Sequence, residues 1–190
     1  MNAAPPSDAD WGLMARASQD QLALSQLYDR HRHYVFRLAW GILGEDAAAD
    51  DVVQEVFLRL HDGRLKAQPR AKFTTWLYGV VLNIAREQAR RRRRFWGAAQ
   101  ADEVLSTHAD DQADPARLDR LRDLGRALAT LPIRQREVVL LRFLEGFDTA
   151  ETAEILGCRQ GTVKAHLHRA TRKLQTEFQS PPPLSKETSQ

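Results

Sequence analysis

Two stretches of this chain carry side chains suited to holding nucleic acid. The first is DTAETAEILGCRQGTVKAHLHRATRKL, from Asp148 to Leu174. Between Arg159 and Lys173 it holds five Lys or Arg and no acid. Val163, Leu167, Ala170 and Leu174 recur at i, i+4, i+7 and i+11, one apolar stripe that a helix must bury. Burying that stripe turns Lys164, Ala165, His168 and Arg169 outward. A cationic face opposite a packed one is what contact with phosphates and base edges requires. Upstream, Ala153 is small enough for a close helix crossing, and Gly157 stands where a left-handed turn residue is cheapest. Asp148 with Glu151 three residues on forms a capping-box pair that starts the first helix. The whole predicts a helix-turn-helix whose second helix fits a DNA major groove.

The second stretch ends in Arg90, Arg91, Arg92, Arg93 and Arg94, with Arg86 one turn earlier. Five successive guanidinium groups surround a helix, so local acids cannot partner them all. Phe73, Trp76 and Tyr78 precede the run and Phe95 and Trp96 follow it. Arginines grip phosphates and exposed aromatics stack on unpaired bases. The same arginines also suit a solvated helix end, and Phe73 and Trp76 equally suit a core. A third face, Asp51, Gln54 and Glu55 at i, i+3 and i+4, opposes the apolar stripe Val52, Val53, Val56, Phe57 and Leu60. It reads either as solvated or as a surface for a basic partner helix.

These faces need helices to position them. The 190 residues are 43% hydrophobic, enough for one domain or two small ones. Net charge is only +3, so the basic character is local. The one cysteine, Cys158, excludes an internal disulfide, suits a reducing cytoplasm and reads as a small buried residue in the turn. No apolar run approaches the roughly 20 residues of a membrane span, and the N-terminus lacks a secretory pattern. No segment alternates with period two, so the expected fold class is all-α. A first helical block spans 10–95, with helices near 10–18, 20–43, 46–61 and 72–94. A second spans 116–178, with helices near 116–130, 132–144, 148–156 and 159–177. Residues 96–115 read as a flexible linker with five acids between Gly97 and Asp114 and no Lys or Arg. Extended, it reaches about 65 Å. The tails, 1–9 and 179–190, read as disordered.

In that order, DDVVQEVFLRL (50–60), FTTWLYGVVLNIAREQARRRRR (73–94) and LPIRQREVVLLRFLEGFDTAETAEILGCRQGTVKAHLHRA (131–170) resemble the bacterial RNA polymerase sigma factors of the extracytoplasmic-function type, group 4 of the sigma-70 family. The resemblance covers about residues 10–178 and implies sigma region 2 in the first block and region 4 in the second. It implies that Asp51, Gln54, Glu55 and Phe57 dock on the β′ clamp of core RNA polymerase, with the β subunit as a further contact. It implies that the helix carrying Trp76, Asn83, Arg86 and Arg90 to Arg94 reads and opens the −10 element, with Asn83 at or near a pocket for a flipped base. An amide has donor and acceptor groups suited to a base edge. It implies −35 recognition by Lys164, Ala165, His168 and Arg169, with Arg159 and Thr162 on phosphates. Further implications are promoter DNA and an anti-sigma protein as partners, a cytoplasmic location with a tether at the inner membrane where the anti-sigma protein is anchored, and neither catalysis nor a small-molecule substrate.

Two rival readings make different demands. A helix-turn-helix regulator of response-regulator type, acting without polymerase, needs an α/β receiver domain, whereas residues 10–95 read as helical. A metal protein needs convergent ligands. His31 and His33, like His166 and His168, are spaced i, i+2 on different helix faces, and no H-E-x-x-H or C-x-x-C is present. No cofactor or metal is expected.

Overall fold

The structure, a computed structural model, describes residues 9–66, 71–100 and 115–179. Among these residues there is no strand, as the periodicity predicts. The first block comprises α1 (Ala9–Arg16), α2 (Gln21–Leu43), α3 (Asp46–His61) and α4 (Phe73–Gln100). The second comprises α5 (Pro115–Ala129), α6 (Ile133–Val139), a π-helical turn (Leu140–Leu144), α7 (Thr149–Leu156) and α8 (Gln160–Gln179).

Local sequence explains the ends of these elements. The Asp20 carboxylate caps α2 by accepting from the backbone N–H of Leu22 at 3.0 Å and of Ala23 at 3.2 Å. Gly44, at φ 73°, ends it. On α2 the residues Ala23, Leu27, Val35, Leu38 and Ile42 are buried against Val52, Val56 and Leu60 of α3 and Phe73, Leu77 and Val81 of α4. Helix α1 is tied down by charge and ring packing. Buried Asp10 accepts from Arg30 at 2.7 Å and faces His31 Nε2 at 3.2 Å. Trp11 donates Nε1–H to the Ala71 carbonyl at 3.1 Å.

Several boundaries depart from the sequence expectation. Helix α4 continues to Gln100, so 96–100 are helical rather than linker. Gly97 is followed by two alanines, which sustain a helix that one glycine does not stop. Pro115 opens α5, where a fixed φ suits the first turn. Ala9 and Gln179, expected in the tails, lie in α1 and α8. The acidic stretch 101–114 and the rest of both tails lie outside the described residues. The helix expected over 132–144 turns π-helical at Leu140, with Glu145 N–H bonding the Leu140 carbonyl at 3.0 Å. At this end Phe143 is 67% exposed.

The two blocks share one core. Helix α4 packs on α7, and α2 packs on α5 and α6. Gly41 in α2 makes this possible: a Cβ there would sit 2.4 Å from Leu140 Cδ2. Arg136 of α6 reaches across to the Ile42 carbonyl at 2.6 Å.

Two outcomes follow from this packing. Gly→Ala inside a helix normally stabilises by about 0.5–1 kcal/mol, but Gly41→Ala must displace a Leu140 side chain that is 1% exposed. Urea unfolding is expected to show a loss of roughly 1–3 kcal/mol, largely recovered when Leu140→Ala accompanies it. Burial holds the His31 pKa below its ordinary 6.5, against the pull of Asp10 and with a smaller push from Arg30. The unfolded chain therefore takes up a proton near pH 6.5 that the folded chain refuses until lower pH. Stability falls on acidification below pH 6.5, and thermal melts from pH 7 to 5 should show a shallower decline for His31→Gln.

Candidate nucleic-acid interface

The helix-turn-helix forms as its residue types require. Glu151 N–H donates to Asp148 Oδ1 at 2.8 Å and Asp148 N–H to Glu151 Oε2 at 3.0 Å, a reciprocal capping box. Gly157, at φ 62°, closes α7 in the left-handed conformation. Ala153 is buried at the crossing, while Val163 and Ala170 of α8 are fully buried and Leu167 and Leu174 half-buried. The opposite face presents Arg159, Thr162, Lys164, Ala165, His168 and Arg169, all exposed. Lys173, from the same basic run, turns aside to the Thr130 carbonyl. Cys158, expected buried, is half-buried.

On α4, Phe73, Leu77, Val81, Leu82, Ile84 and Ala85 face the core. Trp76 is half-buried, its ring centroid 5.3 Å from Trp11 and 5.5 Å from Phe73. Core and surface readings of this tryptophan thus meet in one side chain. Asn83 is exposed, and Arg86 donates from Nη1 to its Oδ1 at 2.9 Å. The arginine run divides. Arg90, Arg93 and Arg94 are exposed, Arg91 is exposed but pairs with Glu87 at 2.7 Å, and Arg92 is half-buried against Glu45.

The face on α3 stands clear of the core. Asp51 and Gln54 are exposed, and Glu55 pairs with Arg59 at 2.6 Å. With Leu58, Ile84 and Glu87 they line a groove between α3 and α4. Phe57, which the apolar stripe puts in the core and the resemblance puts in the docking set, is 7% exposed and packs edge-on against Tyr28 at 4.9 Å, shaping the face from beneath.

The residues that the sequence reasoning missed are carboxylates of the second block. Glu137 is 0% exposed and receives Arg86 of α4 through both Nε and Nη2, the latter at 2.9 Å. Arg134 adds a contact at 3.2 Å. Arg86, expected on DNA, is thereby turned onto an acid. Glu145, 2% exposed at its side chain, accepts from Arg37 at 2.9 Å and from the Tyr78 hydroxyl at 2.6 Å. Burial, with the Glu145 charge, pushes the Tyr78 pKa upward and keeps it a donor. Lys72 reaches Glu151 at 2.7 Å, and that hydrogen bond lowers the Glu151 pKa. One sequence signal existed: Glu137, Leu141 and Leu144 fall at i, i+4 and i+7, which puts an acid on an apolar face.

Among the described residues no group of three or more His, Cys, Asp or Glu is placed to hold a metal ion. Among them, too, no helix is long and apolar enough to cross a membrane.

Comparison with known proteins bears directly on this arrangement. The model of sigma-70 region 2 matches residues 27–95, and that of sigma-70 region 4 matches 121–174. The chain is similar to the ECF RNA polymerase sigma factor SigM of Mycobacterium tuberculosis, at 32% identity over 88% of this chain and 83% of that one. It is likewise similar to SigL of the same species, at 32% identity over 86% and 93%. Among solved structures, CnrH in complex with the cytosolic domain of CnrY superposes with a TM-score of 0.67 at 28% identity, over 90% of this chain and 97% of that one. The sigma factor RpoE of Bartonella quintana, solved with the anti-sigma factor NepR, shares the fold at a TM-score of 0.65 and 23% identity, over 83% and 98%. The response-regulator reading fails on both counts, since the first block is helical and matches region 2. The order of region 2 and region 4, and the likeness to SigM and SigL over most of their length, place the chain in the ECF RNA polymerase sigma factor family.

Proposed function

We propose that this protein joins core RNA polymerase and directs initiation by reading a −10 element with the first block and a −35 element with α8. The observation that carries this reading is the outward face of α8. Among the described residues no acid is paired with Arg159, Lys164 or Arg169, while Val163 and Ala170 behind them are fully buried. A cationic helix face backed by a rigid core suits phosphate and base-edge contact in a major groove. The first block, 10–95, supplies Trp76, Asn83 and the exposed arginines of α4 for the −10 strand. Capturing an unpaired base there offsets the few kcal/mol that unpairing costs. Asp51, Gln54 and Glu55 supply the docking face for the polymerase β′ clamp, stiffened from below by Phe57.

Geometry adds a requirement. Two elements about 25 base pairs apart lie roughly 85 Å apart along B-DNA. A compact chain of this length has a radius of gyration near 16 Å. The blocks, packed on each other here, must therefore separate on the promoter, with the chain between α4 and α5 joining them and the second block engaging upstream.

The protein acts without catalysis, in the cytoplasm, through core polymerase and promoter DNA. An anti-sigma protein is the expected regulator. Solved relatives are described in complex with anti-sigma factor NepR and with the cytosolic domain of CnrY.

Reconstituted transcription tests this reading: sigma-free core polymerase should start at defined sites only when the chain is added. Lys164→Ala or Arg169→Ala should each weaken binding to a −35 duplex by about 1–3 kcal/mol, read by a footprint titration, with polymerase binding retained. Gln54→Ala with Glu55→Arg should abolish co-elution with core polymerase on gel filtration while the circular dichroism of the fold is kept. Undiminished co-elution overturns the docking face.

A further inference from the structure

Among the described residues three ion pairs cross between the blocks, and each sets a first-block cation against a second-block carboxylate: Lys72 on Glu151, Arg37 on Glu145 and Arg86 on Glu137. The cations lie along α4. Lys72 adjoins its start and Arg37 meets it beside Tyr78, since both bond Glu145. Arg86 lies two turns beyond Tyr78. From residue 72 to 86 the helix rises about 21 Å, the axial length of roughly six steps of one DNA strand. Arg86, Arg90, Arg93 and Arg94 are then spaced i, i+4, i+7 and i+8, so the covered Arg86 shares one face of α4 with the exposed arginines, while Arg37 approaches that helix from α2 and Lys72 lies just before its start.

We infer that Lys72, Arg37 and Arg86 are phosphate-binding residues that extend the −10 surface, and that Glu137, Glu145 and Glu151 occupy them in place of DNA. A carboxylate and a phosphate make the same bidentate demand on a guanidinium. Arg86 spends both Nε and Nη2 on Glu137, so a phosphate reaches it only by displacing that acid. The first-block face covered by the second block is thus the face that promoter DNA takes. DNA and the second block compete for it, and DNA binding itself drives the blocks apart. This inference rests on the sigma-factor reading but assigns Arg37 and Lys72, which no motif singles out, and gives the three acids a role.

The test exploits the sign of the effect. Breaking an interblock ion pair from either side should act alike if the pairs merely hold the blocks together. If the cations also hold phosphates, the two sides act oppositely. Binding of the full chain to a labelled 20-base-pair duplex of arbitrary sequence is followed by anisotropy from 50 to 300 mM salt. Glu145→Gln with Glu151→Gln should tighten binding several-fold. Arg37→Gln with Lys72→Gln should weaken it and make the log–log salt slope shallower by about 1.8, from roughly 0.9 per lost phosphate contact. Asp29→Asn and Arg64→Gln, exposed positions outside the interface, each measure the effect of one unit of net charge, to be doubled for comparison with the double variants. Hydrogen exchange supplies an independent readout, with α6 around Glu137 losing protection on adding DNA.

Shifts of like sign for the acid and cation variants, an unchanged slope, effects no larger than those of the control pair, or undisturbed protection of α6 would each overturn the inference. Core-dependent initiation by the unaltered chain separates the two levels. If it occurs while the sign test fails, the competition is wrong and the sigma reading stands. If it is absent, the reading beneath is wrong.

Discussion

The arrangement of the molecule turns on a carboxylate with no access to water. Glu137 sits between the blocks, receiving Arg86 from the first block and Arg134 from its own helix. A carboxylate taken out of water without such partners costs several kcal/mol, and removing one partner of a buried pair is severe because the other charge is stranded. The junction is therefore stable only while Arg86 is present or while water replaces it. That makes it a poor permanent weld and a good separable one. Its apolar part is equally specific, since Leu140 lies where any side chain at position 41 would be.

This chemistry ties the fold to the proposed activity. An interface of purely aliphatic residues would close tightly and gain nothing from the arrival of a polyanion. An interface that matches cations with acids can be dissolved by a stronger anion, and a nucleic-acid backbone is one. The helix-turn-helix differs: its cationic face is already turned outward and backed by Val163 and Ala170. On the proposed reading the upstream contact is available at once, whereas the downstream one must be uncovered.

Much of this was legible in the residues. The stripe on α8 located its outward face correctly because a 3.6-residue period and one buried row leave no freedom for the rest. Asp148, Glu151 and Gly157 announced the α7 ends because capping chemistry is local. The all-helical class followed from the absence of alternation. What stayed hidden depends on partners distant in sequence. Arg86 and Glu137 are 51 residues apart, and neither position names the other. Phe57 belonged to both a buried stripe and a docking pattern, and packing decided for the stripe. The π turn at Leu140 was invisible because its sequence, LLRFL, is as apolar as an ordinary helix end.

The most direct measurement is the distance between the blocks. Spin labels at Ser25→Cys on α2 and Gln175→Cys on α8, with Cys158→Ser, would be read by pulsed dipolar spectroscopy. The free protein should give one narrow short-distance peak, replaced by a population tens of Å longer once core polymerase and promoter DNA are added. An unchanged short distance in a complex that is competent to start transcription would contradict the account at its root.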